Sequence, residues 1–164
     1  MEYLQVFDDN KKALNEKVSR ANKFDLPDGK YFMVVLIFIE NSKGEFLLQK
    51  TSKSRNSIIA TTGGHVTYGD NAIKTVIKEC QEELGLSINS DDFSYVCTEK
   101  YNDGYLETFY MKKDLDINSL VLQKEEVEYV RWFTKEEIDN LILNNEFREG
   151  NIEPYKRVID YIKG

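Results

Sequence analysis

The sequence predicts an α/β (α+β) chain in which helices pack on the faces of a mixed β-sheet. Segments rich in β-branched and aromatic residues dominate its middle, KYFMVVLIFIE being the longest. Apolar residues at helical spacing follow Gly69 and Thr134 and recur near the C-terminal end. The 164 residues carry only two prolines, no repeat and no polar linker, so a single domain over 1–164 is expected.

The elements follow in order. Residues 1–30 read as an irregular arm or short hairpin, with Leu4, Val6 and Phe7 as its strand residues. KYFMVVLIFIE is nearly continuous in hydrophobicity, which suits a strand buried on both faces. Asn41-Ser42-Lys43-Gly44 supplies a turn, and EFLLQK returns as the second strand of a hairpin. Ser57 to Thr62, SIIATT, makes a short strand leading into a Gly63-Gly64 turn. FSYVCTEKY and YLETFYMKK flank Asn102-Asp103-Gly104, a hairpin turn signal. EVEYVRWF is a further strand, with Trp132 in the core. Thr134 and Glu137 form a capping box before Ile138, Leu141 and Ile142. A last helix starts at Pro154 and buries Tyr155, Val158, Ile159 and Ile162.

Composition narrows the function. A hydrophobic fraction of 41% and an aromatic fraction of 12% fit a globular chain. No apolar run approaches the ~20 residues of a membrane span, and MEYLQVFDDNKK lacks the basic start and apolar stretch of a secretory leader. Cys80 and Cys97 are too few for a disulfide framework, and no Cys/His cluster suggests zinc. A cytoplasmic location without membrane attachment is the expectation. The net charge of −7 argues against a broad nucleic-acid footprint. It also means that a phosphate substrate needs a metal ion or local cations to offset the protein's field. Lys50, Lys53 and Arg55, in QKTSKSRNS, are the nearest such cations, and they also fit a solvated loop.

The segment Gly63 to Leu86 carries the chemistry. Asp70 reads as a helix N-cap and Gly85 as the C-terminal stop. Ile73, Val76, Ile77, Cys80 and Leu84 form an apolar stripe, while Glu79, Glu82 and Glu83 share another face. Three carboxylates so close repel one another; either water screens them or a hard divalent cation binds them. Acidic solvent faces are common, but Gly63-Gly64 lets a ligand approach the backbone and offers a carbonyl as a further oxygen ligand.

From Gly64 the chain reads G-x5-D-x7-K-E-C-x-E-E-x-G-L, which resembles the Nudix box, G-x5-E-x7-R-E-U-x-E-E-x-G-U with U bulky and apolar, in register over 23 positions. FLLQK before the box and EEVEYVRWFTKEEI after it are also similar to Nudix domains. The resemblance implies an α/β/α sandwich with a mixed central sheet. It implies a Mg²⁺-dependent pyrophosphohydrolase, with Mn²⁺ as the alternative ion, acting on a nucleoside diphosphate linked to another moiety. Glu79, Glu82, Glu83 and the Gly63 carbonyl would hold the metal, with Gly64 and Gly85 structural within the motif. Glu79 and Glu126, six residues before Trp132, are the candidate general bases, Glu126 being equally readable as an exposed charge before a strand. Arg55 and Lys50 are the candidate substrate-binding residues.

Two positions depart from the family pattern: Asp70 stands for its first glutamate and Lys78 for its arginine, a residue grouped with the catalytic set. Lysine lacks the bidentate fork that would hold Glu79, so activity is expected to be slower or narrower. These departures motivate the alternative of a non-catalytic nucleotide-binding module. The arm and GGHV are similar to the isopentenyl diphosphate isomerase-like subgroup, but SRNSIIATT lacks the cysteine that isomerisation would need. His65 reads as a loop spacer or hydrogen-bond donor, and Tyr68, Tyr101 and Tyr105 as candidate base-stacking residues. Homodimerisation stays open.

Overall fold

Strand β3 (Phe32–Glu40) runs through the middle of the sheet with both faces covered, as its unbroken apolar run requires. The computed structural model describes residues 1–101 and 103–164; Asn102, the first residue of the expected hairpin turn, lies outside them. The elements are β1 (Tyr3–Phe7), β2 (Ala13–Ser19), β3, β4 (Phe46–Thr51), β5 (Ile59–Ala60), β6 (Thr62–His65), α1 (Ala72–Leu84), β7 (Ser94–Lys100), β8 (Gly104–Lys112), β9 (Val127–Phe133), α2 (Lys135–Leu143) and α3 (Ile152–Lys163). The arm is the hairpin β1–β2 followed by a 3₁₀ turn, Arg20–Asp25. The main sheet runs β5-β4-β3-β8-β7, with β6 beside β3 and β9 beside β4. Among the strand pairs of the described residues only β3–β8 is parallel, so the sheet is mixed.

The alternation of β3 divides the core in two. Met33, Val35, Ile37 and Ile39 pack with Val76, Cys80 and Leu84 of α1. On the opposite face Leu36 and Phe38 pack with Ile138 of α2 and with Tyr155 and Val158 of α3. One helix covers one face and two cover the other, which is the expected α/β/α sandwich.

Local details differ from the sequence reading in four places. SIIATT splits at Thr61, with β5 joining β4 and β6 joining β3. The Thr61 hydroxyl donates to the Ile37 carbonyl at 2.5 Å and its N–H donates to Asn151 Oδ1 at 2.9 Å, which fixes the step between strands. Gly63, Gly64 and His65 therefore lie in a strand rather than a turn. The N-cap of α1 is Asn71, whose Oδ1 accepts the Lys74 N–H at 2.9 Å. Asp70 is one residue too early and accepts the Thr67 hydroxyl instead. Ile73 is 39% exposed while Thr75 is buried, because the first turn of α1 overhangs the core. Helix α3 begins at Ile152, so Pro154 sits inside its first turn, and Ile159 and Ile162 are half-buried.

The capping box of α2 forms as expected, Thr134 accepting from Glu137 N–H and Glu137 from Thr134 N–H. Gly85 closes α1 at φ +64°, and the Leu86 N–H reaches back to the Cys80 carbonyl at 3.1 Å. Replacing Asn71 by Ala removes the α1 cap and is expected to cost about 1 kcal/mol in urea unfolding. Asp70→Ala, which removes only partly exposed contacts with Thr67 and Lys78, is expected to cost less than half as much.

Candidate active site

Strands β3 and β4 pair at Glu40 and Phe46 and then part, β3 running beside β6 and β4 beside β5 and β9. A cleft of about 630 Å³ opens in that divergence. Val34 and Leu36, on the same face of β3 as the core residue Phe38, line it. Gln49 and Thr51 enter from β4, Gly63 and Gly64 from β6, and Glu79, Glu82 and Glu83 from α1. Glu126 and Arg55 come from the loops before β9 and after β4, and Arg148 and Asn151 from the segment before α3.

The seating of α1 explains the carboxylates. Val76, Cys80 and Leu84 are at most 1% exposed, and they turn Glu83, 4% exposed, into the sheet. Gln49 Nε2 donates to Glu83 Oε1 at 3.0 Å, while Gln49 Oε1 is buried without a partner among the described residues. Gly64 explains Glu79: a Cβ there would lie 2.5 Å from Glu79 Oε1, so only glycine admits the carboxylate. Val66 N–H donates to the Met33 carbonyl at 2.9 Å. The antiparallel alternation then turns the Gly63 carbonyl away from β3.

Electrostatics favour neutralising this group. Burial first, and then the Glu79 carboxylate beside it, hold the Glu83 carboxyl far above the usual carboxylate range. Burial also raises Glu79; the hydrogen bond from Glu83 opposes that rise, and the Glu82 and Glu126 charges add to it. Among the described residues no group of three or more His, Cys, Asp or Glu side chains is placed to hold a metal ion. A hard ion that takes one or two carboxylates and fills its other positions with water and substrate oxygen needs fewer. Burial, and secondarily the two glutamates, push the Cys80 thiol up to about 12, so it acts as a core side chain and not a nucleophile.

Cations stand around the carboxylates. The Arg55 guanidinium pairs with Glu126. Arg148 is half-buried, donates to the Arg55 carbonyl at 3.4 Å and pairs with no carboxylate among the described residues. His65, the only histidine, accepts a hydrogen bond from Lys23 Nζ at 2.8 Å through Nε2, not donating as expected. Burial, reinforced by Lys23, Arg20 and Arg55, lowers its pKa to about 3.

The structure thus brings together Glu79, Glu82, Glu83, Glu126, Gly63, Gly64 and Arg55. Lys50 and Lys53 do not line the cleft; Lys50 is in register with Ile59 and Tyr129. Lys78 also stays outside it and faces Asp70 at 4.0 Å, so the two departures from the motif meet each other. Of the tyrosines, Tyr101 and the buried Tyr105 line the cleft, whereas Tyr68 hydrogen-bonds Asn15 outside it. Sequence reading missed Arg148, Asn151, Arg20 and Phe24, which no motif marks. It also missed Gln49, although an uncharged polar residue directly after the apolar run of FLLQK carries a signal.

The NUDIX domain family model matches residues 30–157. An uncharacterized Nudix hydrolase of Listeria monocytogenes is 29% identical over 151 residues, covering 90% of this chain and 88% of that protein. Nudix hydrolase 3 of Arabidopsis thaliana is 28% identical over 135 residues, covering 70% of this chain and 17% of that protein. Among solved structures, a Deinococcus radiodurans protein superposes with a TM-score of 0.74 at 17% identity, covering 92% of this chain and 94% of the other. The MutT protein of Methanosarcina mazei gives 0.62 at 20% identity, covering 82% and 96%. At these identities the structural likeness is one of fold.

His65 gives a pH test. Its folded pKa lies below the unfolded value, so between about 3 and about 6.5 the unfolded chain binds the extra proton and stability falls as pH falls. NMR of this lone imidazole is expected to show no titration down to pH 5, and Lys23→Met to raise its midpoint.

Proposed function

We propose that this chain, which belongs to the Nudix hydrolase family and so acts on pyrophosphate bonds, is a Mg²⁺-dependent enzyme whose substrate is a nucleoside diphosphate linked to another moiety. One observation carries this reading: Glu79, Glu82, Glu83 and Glu126 share one cleft with the Gly63-Gly64 backbone, Arg55 and Arg148. The acidic group alone would repel a pyrophosphate; together with the arginines it suits one that arrives with a cation.

The donor set fits the ion. Glu79, Glu82, Glu83 and the Gly63 carbonyl would hold it, and the paired Glu79–Glu83 carboxyls and the orphaned Gln49 Oε1 are oxygens in want of positive charge. When bound, Mg²⁺ acidifies the attacking water and neutralises the leaving phosphate. Glu79 and Glu126 are the two groups able to take the water's proton. Arg55 and Arg148 receive the phosphate oxygens, Arg148 with no carboxylate to release first. Gln49 orients Glu83. Lys78, in the second turn of α1, and Asp70, just before its start, face each other and act only through the helix.

A panel of nucleoside diphosphate derivatives, including ADP-ribose and nucleoside triphosphates, with and without Mg²⁺, tests the reading. Turnover on at least one member is expected only with the metal. Glu83→Gln and Glu79→Gln should each lower kcat by about 10²–10⁴, and Gly64→Ala, by displacing Glu79, should do likewise while the fold is retained. Mg²⁺ should raise the thermal midpoint of the wild type and not that of Glu83→Gln. Metal-independent turnover, or a Glu83→Gln variant indistinguishable from wild type, would sink the reading.

A further inference from the structure

The arm lies outside the matched region, which begins at residue 30, yet it supplies Glu2, Arg20 and Phe24 to the cleft. Phe24 is the unusual one. Its ring is 67% exposed, although it lines the cleft and stands edge-on to Phe32 with centroids 5.8 Å apart. Phe32 is itself fixed, since its ring packs over Gly104, where a Cβ would come within 2.8 Å of it. Lys23 ties the arm down. Its Nζ lies 4.8 Å from the Phe24 centroid and 4.9 Å from that of Phe32. The same ammonium donates to His65 Nε2 at 2.8 Å on β6.

An exposed aromatic ring on a surface loop is ordinary. One clamped through its neighbour to two strands of a cleft wall is different, because its orientation is set before anything binds. Most of its apolar area is still unburied, and a flat ring laid against it would bury that area at little entropic cost. The cleft is continuous from here to the carboxylates, so one ligand can meet both.

We propose that Phe24 is the stacking platform for the heterocyclic base of the substrate, making the arm of residues 1–29 the element that selects base-bearing pyrophosphates. This rests on the hydrolase reading above. Lys23 is the positioning residue: it holds Phe24 against Phe32 without touching the reacting atoms. Tyr101, 51% exposed, lines the same cleft and offers a further aromatic group to the base.

The test uses the full chain and two substrates, ADP-ribose and its base-free analogue, in which two ribose phosphates share the same pyrophosphate. Phe24→Ala is expected to lower kcat/KM for ADP-ribose about tenfold more than for the analogue, through KM and not kcat, with Phe24→Trp restoring it. Lys23→Met should reproduce part of the KM effect. Calorimetric ADP binding, weakened about tenfold in Phe24→Ala, reads the platform without turnover. Phe24-dependent ADP binding in a protein that hydrolyses neither these substrates nor any other member of the panel supports the platform and overturns the hydrolase reading. Equal losses on both substrates, or no loss of ADP affinity in Phe24→Ala, overturn the platform.

Discussion

The molecule depends on β3 using both of its faces. One face seats α1 through Val76, Cys80 and Leu84; the other carries Phe38 into the α2–α3 core and Val34 and Leu36 into the cleft. Because side chains alternate along a strand, a one-residue slip would exchange these roles and bury the wrong set. The register with β8, in step from Phe32–Gly104 to Glu40–Lys112, resists such a slip. A strand held this firmly can afford a partner that leaves: β4 departs after Phe46, and the space it vacates is the cleft.

The second constraint is electrostatic. Burying Glu83 beside Glu79 is unfavourable unless a proton or a cation offsets the charge. The fold accepts this cost because the apolar stripe of α1 leaves the acidic face nowhere else to go: Cys80 and Leu84 flank Glu83 in sequence, and both are fully buried. Gly64 then removes the one Cβ that would keep Glu79 out. Packing energy of the core thus holds in place a charge arrangement that would not assemble alone. The Asp70–Lys78 pair, partly exposed and 4.0 Å long, contributes little to that hold.

The arm lies before the residues that the family model matches. Its hairpin joins the body through main-chain bonds, Phe7 exchanging N–H and carbonyl with Tyr31, and through Lys23 on His65. A neutral imidazole accepting from an ammonium is stable here because burial already disfavours a charged ring. The arm is therefore part of the cleft wall.

Much of this was legible in the sequence. Period-two and period-3.6 patterns named the three helices and most strands, though not β2 or β6, together with the capping box at Thr134, the Gly85 stop and the glutamates that gather in the cleft. They are legible because each is enforced within a few residues, by alternation, capping or spacing. What sequence reading placed wrongly has the opposite character. Asn71 displaced Asp70 as cap by one residue, and SIIATT divided at Thr61 because Ile37 and Asn151, distant in sequence, claim its hydrogen bonds. Lys50 points away from the cleft while Arg148 and Phe24 reach it, which depends on where three separate segments cross. The sequence by itself determined the elements and the acidic helix face. Only the tertiary structure decided which cations, which amide and which aromatic ring stand opposite that face, because those partners meet across the parted strands and share no local signal.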